Sequence, residues 1–210
     1  MTTIRTTAPG EGATPIDCWT MTATGAPFYP LRPRESVIDF EVIAQALSRV
    51  ARWNGHTTKP WTVAQHSLAV CEALEFWGES KAVQLQGLLH DASEAYLPDV
   101  PSPIKVHLTN FHAIEDEILC AIFNAAGLTD CESLYGTVKQ ADRFVLEAER
   151  ATLLPFNSEW IPALGFNAPG YTRMRNRIEY VARRAYIQND GGLAAWLWRF
   201  NQLRADLGLD

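Results

Sequence analysis

The chain has 210 residues, 47% of them hydrophobic, and a formal net charge of −6 at pH 7. That length fits one domain, and that apolar fraction excludes a disordered chain. The acidic balance excludes a general nucleic-acid coat, which needs a basic face, but leaves open a phosphate-bearing substrate met by a few placed cations.

The cysteines Cys18, Cys71, Cys120 and Cys131 are widely spaced and form no Cys-x-x-Cys pair, so reduced thiols are expected. Met1 to Pro15 is rich in Thr, Gly, Ala and Pro without a continuous apolar stretch, and reads as a flexible tail and not a signal peptide. No apolar run is long enough to cross a membrane. Over about residues 18–30, Thr and aromatic residues flank Ala23-Thr24-Gly25-Ala26, which predicts a short β-hairpin ended by Pro30 and Pro33. From Ile38 the period becomes helical. Ile38, Val42, Ile43, Ala46, Leu47 and Val50 share one stripe, and Asn54-Gly55 is expected to close that helix.

Thr62 is expected to cap the next helix, with Val63, His66, Ser67, Val70 and Leu74 on one side. A third helix is expected from Glu79 to Asp91. Pro98, Pro101 and Pro103 predict a loop over Tyr96 to Leu108. Helical period returns from about Phe111 to Ala126 and from about Leu134 to Leu154. Pro155 ends the latter, and an irregular loop is expected to Gly170. The last two helices are expected over Thr172 to Gln188 and Leu193 to Leu207, parted by Gly191-Gly192. The fold class is all-α, a helical bundle with a small N-terminal β-hairpin, forming one domain over 16–210.

The segment Leu88-Leu89-His90-Asp91-Ala92-Ser93-Glu94 sets an adjacent His–Asp pair at the end of an apolar run. Glu94 follows within one turn, and Asp99 and Lys105 lie beyond. Imidazole with carboxylate suits a divalent cation of borderline hardness. Alone, His66 reads as a satisfied core histidine and Asp142 as half of a surface ion pair. Together with His90 and Asp91 they make a ligand set with room for water. A metal there would lower the pKa of that water and hold a phosphoryl oxygen. Neighbours on a helix point about 100° apart. His90 and Asp91 can therefore converge only on a metal lying over the helix end, which makes the following loop part of the site.

His66, His90-Asp91 and Asp142 match an H…HD…D signature, and the chain resembles the HD-domain metal-dependent phosphohydrolases. Arg52-Trp53, Gln65-His66-Ser67, His90 to Glu94, Asp99 to Lys105 and Val138 to Asp142 resemble the bacterial 5′-deoxynucleotidases and the phage dATP triphosphohydrolases. The match covers roughly Ile38 to Leu154. The resemblance implies an HD-type catalytic core over about 38–154 and metal ligation by His66, His90, Asp91 and Asp142. It makes Glu94 the acid that orients the attacking water or protonates the leaving 5′-oxygen, with Asp99 as a second helper. Burial near other carboxylates should raise the Glu94 pKa. Lys105, Lys139 and Arg52 would hold phosphate oxygens. Trp53 would pack against C2′, leaving a 2′-hydroxyl neither space nor partner. Asn54, Gly55 and Pro103 would form the base pocket.

The implied cofactor is a divalent metal, Co²⁺, Mn²⁺ or Zn²⁺, with Mg²⁺ at a second site. The implied partner is a small-molecule deoxynucleotide, with no stable nucleic-acid binding and no membrane, in the cytosol of a bacterium or of a phage-infected host. The reaction would release deoxynucleoside plus phosphate or triphosphate. The apolar final helix, with Trp196, Trp198 and Phe200, is expected in packing or in a subunit interface, and so favours a homo-oligomer. Other readings remain. A guanosine-tetraphosphate hydrolase must accept ribose, which Trp53 opposes. A cyclic-dinucleotide phosphodiesterase is disfavoured because Gly170-Tyr171 is followed by Thr172. The remaining alternative is a non-enzymatic nucleotide-binding scaffold. His56, His107 and His112 are assigned to surface or loop positions, and Glu147 to Arg150 to a solvated or ion-paired face.

Overall fold

The computed structural model describes residues 19–128, 135–159, 168–188 and 190–209. The tail to Pro15, Cys18, Cys131 and residues 160–167 of the expected loop lie outside the described residues. Strand β1 (Thr20–Met21) pairs antiparallel with β2 (Pro27–Phe28), Thr20 opposite Phe28. The Thr22 N–H closes the turn on the Ala26 carbonyl at 2.9 Å. Phe28 is buried and stacks on Tyr96 with 3.7 Å between ring centroids, which pins the hairpin to the segment after the His–Asp pair.

Helix α1 (Phe40–Leu47) starts at Asp39, whose carboxylate accepts from the Glu41 and Val42 N–H groups. It stops before the stripe predicts. The Val50 carbonyl accepts from the Val63 N–H, and the Arg52 N–H donates to the Trp61 carbonyl, both at 3.0 Å. That extended pairing takes the backbone groups another helical turn would have used. Asn54-Gly55 therefore do not close a helix. They belong to a separate 3-10 turn, Arg52–Gly55, in which Trp53 and Asn54 adopt left-handed φ angles of 56° and 49°.

Helix α2 (Val63–Phe76) begins with a complete capping box between Thr62 and Gln65, a device worth about 1 kcal/mol. Helix α3 (Lys81–Leu89) starts at Ser80, whose hydroxyl accepts from the Val83 N–H. It is shorter than expected at both ends, with His90 as its last cap and Asp91 beyond it, followed by the 3-10 turn Ala92–Ala95. A Cβ on Gly87 would stand 2.3 Å from Leu74 Cδ1, so a glycine is what lets α3 lie this close to α2. The proline-rich loop carries a one-turn helix, α4 (Ser102–Lys105), because Pro103 sits in its first turn, where no N–H is needed. Helices α5 (Phe111–Ala125), α6 (Tyr135–Leu153), α7 (Tyr171–Gln188) and α8 (Leu193–Asp206) follow the hydrophobic period closely.

The protein is an all-α bundle with a small hairpin, and α2 is its axis. One apolar cluster joins α2 to α1, α3, α5 and α8, and a second joins α2 to Trp61, α6 and α7. Helix α8 is fastened by buried Arg199, which donates to Gln84 Oε1 at 3.0 Å and to Cys71 Sγ at 3.3 Å. Trp196 and Phe200 fill the first cluster, so the apolar face of α8 is largely spent inside the protomer, whereas Trp198 is 64% exposed. His56, His107 and His112 lie at the surface. Among the described residues no helix is long and apolar enough to cross a membrane.

The turn between α7 and α8 has no room for a side chain. Gly191 has φ 58°, and a Cβ there would come within 1.9 Å of the Ser48 carbonyl oxygen. Its own carbonyl accepts from the Thr62 hydroxyl at 2.6 Å. Gly191→Ala is expected to lower stability by about 1–3 kcal/mol, read from the urea midpoint at unchanged slope.

Candidate metal centre

The centre forms where α2, the end of α3 and α6 meet. His66 lies mid-α2 with none of its side chain exposed. Its Nδ1 is 2.7 Å from Glu149 Oε1. A carboxylate only accepts, so Nδ1 carries the hydrogen and Nε2 offers a lone pair. His90 repeats the arrangement, with Nδ1 donating to the Gly87 carbonyl at 2.7 Å. Both tautomers are thus set from behind, as in metal-binding histidines. Both Nε2 atoms are buried and make no hydrogen bond among the described residues.

Two carboxylates face these nitrogens. Asp91 Oδ2 is 3.2 Å from His90 Nε2 and 3.6 Å from His66 Nε2. Asp142 Oδ1 is 3.1 Å from His66 Nε2 and 3.9 Å from His90 Nε2. The ligand atoms of His66, His90 and Asp91 all lie within 4.8 Å of one another, a group that could hold a metal ion. Asp142, on α6, faces both Nε2 atoms but lies outside that three-residue group. Because α3 ends at Leu89, Asp91 has left the helix (φ −104°, ψ 15°) and its carboxylate turns back toward the His90 ring. Exposure of the side chains rises from 0% at His66 through 11% at His90 and 21% at Asp91 to 33% at Asp142, so the centre opens on the α6 side.

The electrostatics ask for positive charge at this point. Burial and Arg52 press the His66 pKa down, but Glu149 and Asp142 outweigh them and raise it to about 9. Burial opposes charge on His90 as well, and Asp91 and then Asp142 reverse the effect, so its pKa is also raised. Burial would raise the Asp91 pKa, yet His90, His66 and Arg52 hold it below the ordinary carboxylate range. Two carboxylates and two orphaned imidazole nitrogens fit a divalent cation of borderline hardness, which would replace the protons those acids otherwise draw onto the rings.

The sequence reading missed Glu149. Of the solvated or ion-paired face expected over Glu147 to Arg150, the ion-paired alternative fits Glu149, which pairs with Arg52, and the solvated one does not, because Glu147, Glu149 and Arg150 are all buried. Glu149 lies seven residues after Asp142, two turns along α6 on the same face, and that spacing was the available signal. Arg52, expected on phosphate oxygens, is buried and directs Nε to Glu149 Oε2 and Nη1 to Asp91 Oδ2, both at 3.3 Å.

Glu94 follows in the turn after Asp91. Its carboxyl is buried, and Oε2 has no hydrogen-bond partner among the described residues. Burial first, then Asp91 and Asp99, push its pKa well above the ordinary value. Asp99 is raised too, by burial and by Asp91, against the pull of Arg52. Lys105 pairs with Glu115 at 2.6 Å and lies over the Phe111 ring, and the charges of Glu94 and Asp91 reach it. Lys139 is exposed on α6, one turn before Asp142. Asn54 and Pro103 are exposed, and no hydrogen bond among the described residues joins Asn54, Gly55 or Pro103 to the centre.

A cation at about one hundred times its Kd is expected to stabilise the fold by about 2.7 kcal/mol, and EDTA to remove the gain. Asp91→Ala should abolish it. Thermal unfolding with and without Zn²⁺ reads both, and an undiminished gain in the variant takes Asp91 out of the centre.

No family model matches the chain. It is 32% identical over 183 residues to the uncharacterized protein YfdR of Escherichia coli (strain K12), an alignment spanning 87% of this chain and 93% of YfdR. It is 36% identical over 115 residues to the uncharacterized protein RCAP_rcc00048 of Rhodobacter capsulatus, spanning 52% of this chain and 59% of that protein. With nearly all of YfdR aligned at that identity, the chain belongs to the YfdR family.

Proposed function

We propose that the protein is an HD-domain phosphohydrolase that cleaves 2′-deoxynucleotides at the 5′ α-phosphate. The observation that carries the reading is the pair of buried imidazoles whose orphaned Nε2 atoms face Asp91 and Asp142, with a buried carboxyl of raised pKa, Glu94, a few residues away. His66, His90 and Asp91, with Asp142 beside them, would hold a Co²⁺, Mn²⁺ or Zn²⁺ ion, which would supply acidification of a water and a positive seat for a phosphoryl oxygen.

The chain's own groups do the rest. Burial and two neighbouring acids raise the Glu94 pKa, which favours its protonated form, and in this reading Glu94 gives its proton to the 5′-oxygen as the P–O5′ bond breaks. The water's oxygen forms the new P–O bond. Its proton leaves through Asp99, whose raised pKa makes it a better base than an exposed aspartate. Lys105 and Lys139 bring positive charge to the phosphate side. Trp53 is read as packing against C2′, which disfavours ribose. Water plus a deoxynucleoside monophosphate gives deoxynucleoside and phosphate, and a triphosphate gives triphosphate by the same bond cleavage.

The test is a panel of deoxynucleoside mono- and triphosphates and their ribonucleotide counterparts with Mn²⁺ or Co²⁺, reading nucleoside, phosphate and triphosphate separately. Deoxynucleotides should be cleaved at least about tenfold faster than ribonucleotides. No turnover of any member sinks the reading. In the same assay Glu94→Ala should retain the cation while losing about 10²–10⁴-fold in rate. An unchanged rate removes Glu94 from catalysis.

A further inference from the structure

Glu149 has no part in the chemistry proposed above, yet four side-chain donors converge on it. Its carboxylate is fully buried on α6. Each oxygen receives a pair of donors. Oε1 takes the His66 Nδ1–H and the Trp61 indole N–H, each at 2.7 Å. Oε2 takes the Trp53 indole N–H at 3.2 Å and Arg52 Nε at 3.3 Å. Burial opposes its charge, but Arg52, His66 and Trp61 outweigh burial and hold the pKa down to about 2, so the group is a carboxylate throughout the neutral range.

The two oxygens face different business. Oε1 sets the tautomer of a cation ligand. Oε2 holds Trp53, whose backbone sits at φ 56°, a left-handed conformation that non-glycine residues rarely adopt. Something must hold Trp53 there, and the indole bond to Oε2 is a constraint on its side chain that the geometry supplies. A cation on His66 Nε2 withdraws electrons from the ring and makes Nδ1–H a stronger donor. That draws the carboxylate's charge toward Oε1 and alters its hold on the indole at Oε2.

We infer that Glu149 is a positioning residue that links cation occupancy at His66 to the placement of the Trp53 indole, so that selection of the sugar depends on a loaded centre. The inference rests on the reading above for why Trp53 meets a sugar. The link between cation and indole stands on this geometry alone.

Zn²⁺, which is diamagnetic, can be titrated into the metal-free full chain while the indole N–H signals are followed by NMR, those of Trp53 and Trp61 assigned by Trp53→Phe and Trp61→Phe. Both should shift in step with Zn²⁺ occupancy, with no substrate present. Glu149→Gln keeps the size but not the charge. It should bind Zn²⁺ about tenfold to a hundredfold more weakly, lose the Trp53 response at saturating Zn²⁺, and lower the deoxy-to-ribo ratio of kcat/KM. A purely structural Glu149 would lower stability and leave that ratio and the Trp53 response intact, which would overturn the inference. If Glu149→Gln does not fold, the wild-type titration decides alone, since a Trp53 signal blind to bound Zn²⁺ also overturns it. Intact indole coupling without hydrolysis of any nucleotide would instead sink the phosphohydrolase reading and leave this link standing.

Discussion

Burying a carboxylate costs several kcal/mol unless partners replace its water, and the arrangement around Glu149 follows from meeting that cost. Its donors come from the turn after α1 (Arg52, Trp53), from the residue leading into α2 (Trp61) and from α2 itself (His66), while Glu149 rides on α6. One buried charge therefore ties the turn after α1 and the start of α2 to α6. It also reaches the cation ligands from behind, because Arg52 bridges Glu149 and Asp91. The position of Asp91 and the tautomer of His66 depend on the same ion-paired knot.

Helix ends do the second part of the work. A continuous helix would splay adjacent residues about 100° apart. Ending α3 at Leu89 lets His90 use the last helical carbonyls, through the Gly87 oxygen, while Asp91 turns back toward it. Gly87 serves both sides of this arrangement, since its lack of a Cβ lets α3 approach α2 and its carbonyl sets the His90 tautomer. The turn that follows carries Glu94 into the same buried space, where burial first and then Asp91 and Asp99 raise its pKa. The hairpin holds that turn in place through the stack of Phe28 on Tyr96.

The centre is closed on the α2 side and opens toward α6. Lys105 stands on α4 in the proline-rich segment, paired with Glu115 of α5. Its charge is thus kept close to Glu94 and Asp91 while it has an acidic partner of its own. Lys139 and Asp142 share the exposed edge of α6.

Much of this was legible in the residues themselves. Period 3.6 located the long helices α5 to α8, and the Thr62 cap, the hairpin and the grouping of His66 with His90, Asp91 and Asp142 were readable from residue type and spacing. These are local properties, set by side-chain volume, backbone capping and ligand chemistry. The early end of α1 was not legible, because the Val50 carbonyl and Arg52 N–H were taken by residues Val63 and Trp61 across a loop. Nor was the burial of Glu149, whose charge pattern on α6 looks like that of any solvated face until Arg52, the two indoles and His66 arrive to satisfy it. Sequence determined which groups could bind a cation. Tertiary packing decided which carboxylate would stand behind them, because the cost of burying a charge is settled only by the partners that the fold brings to it.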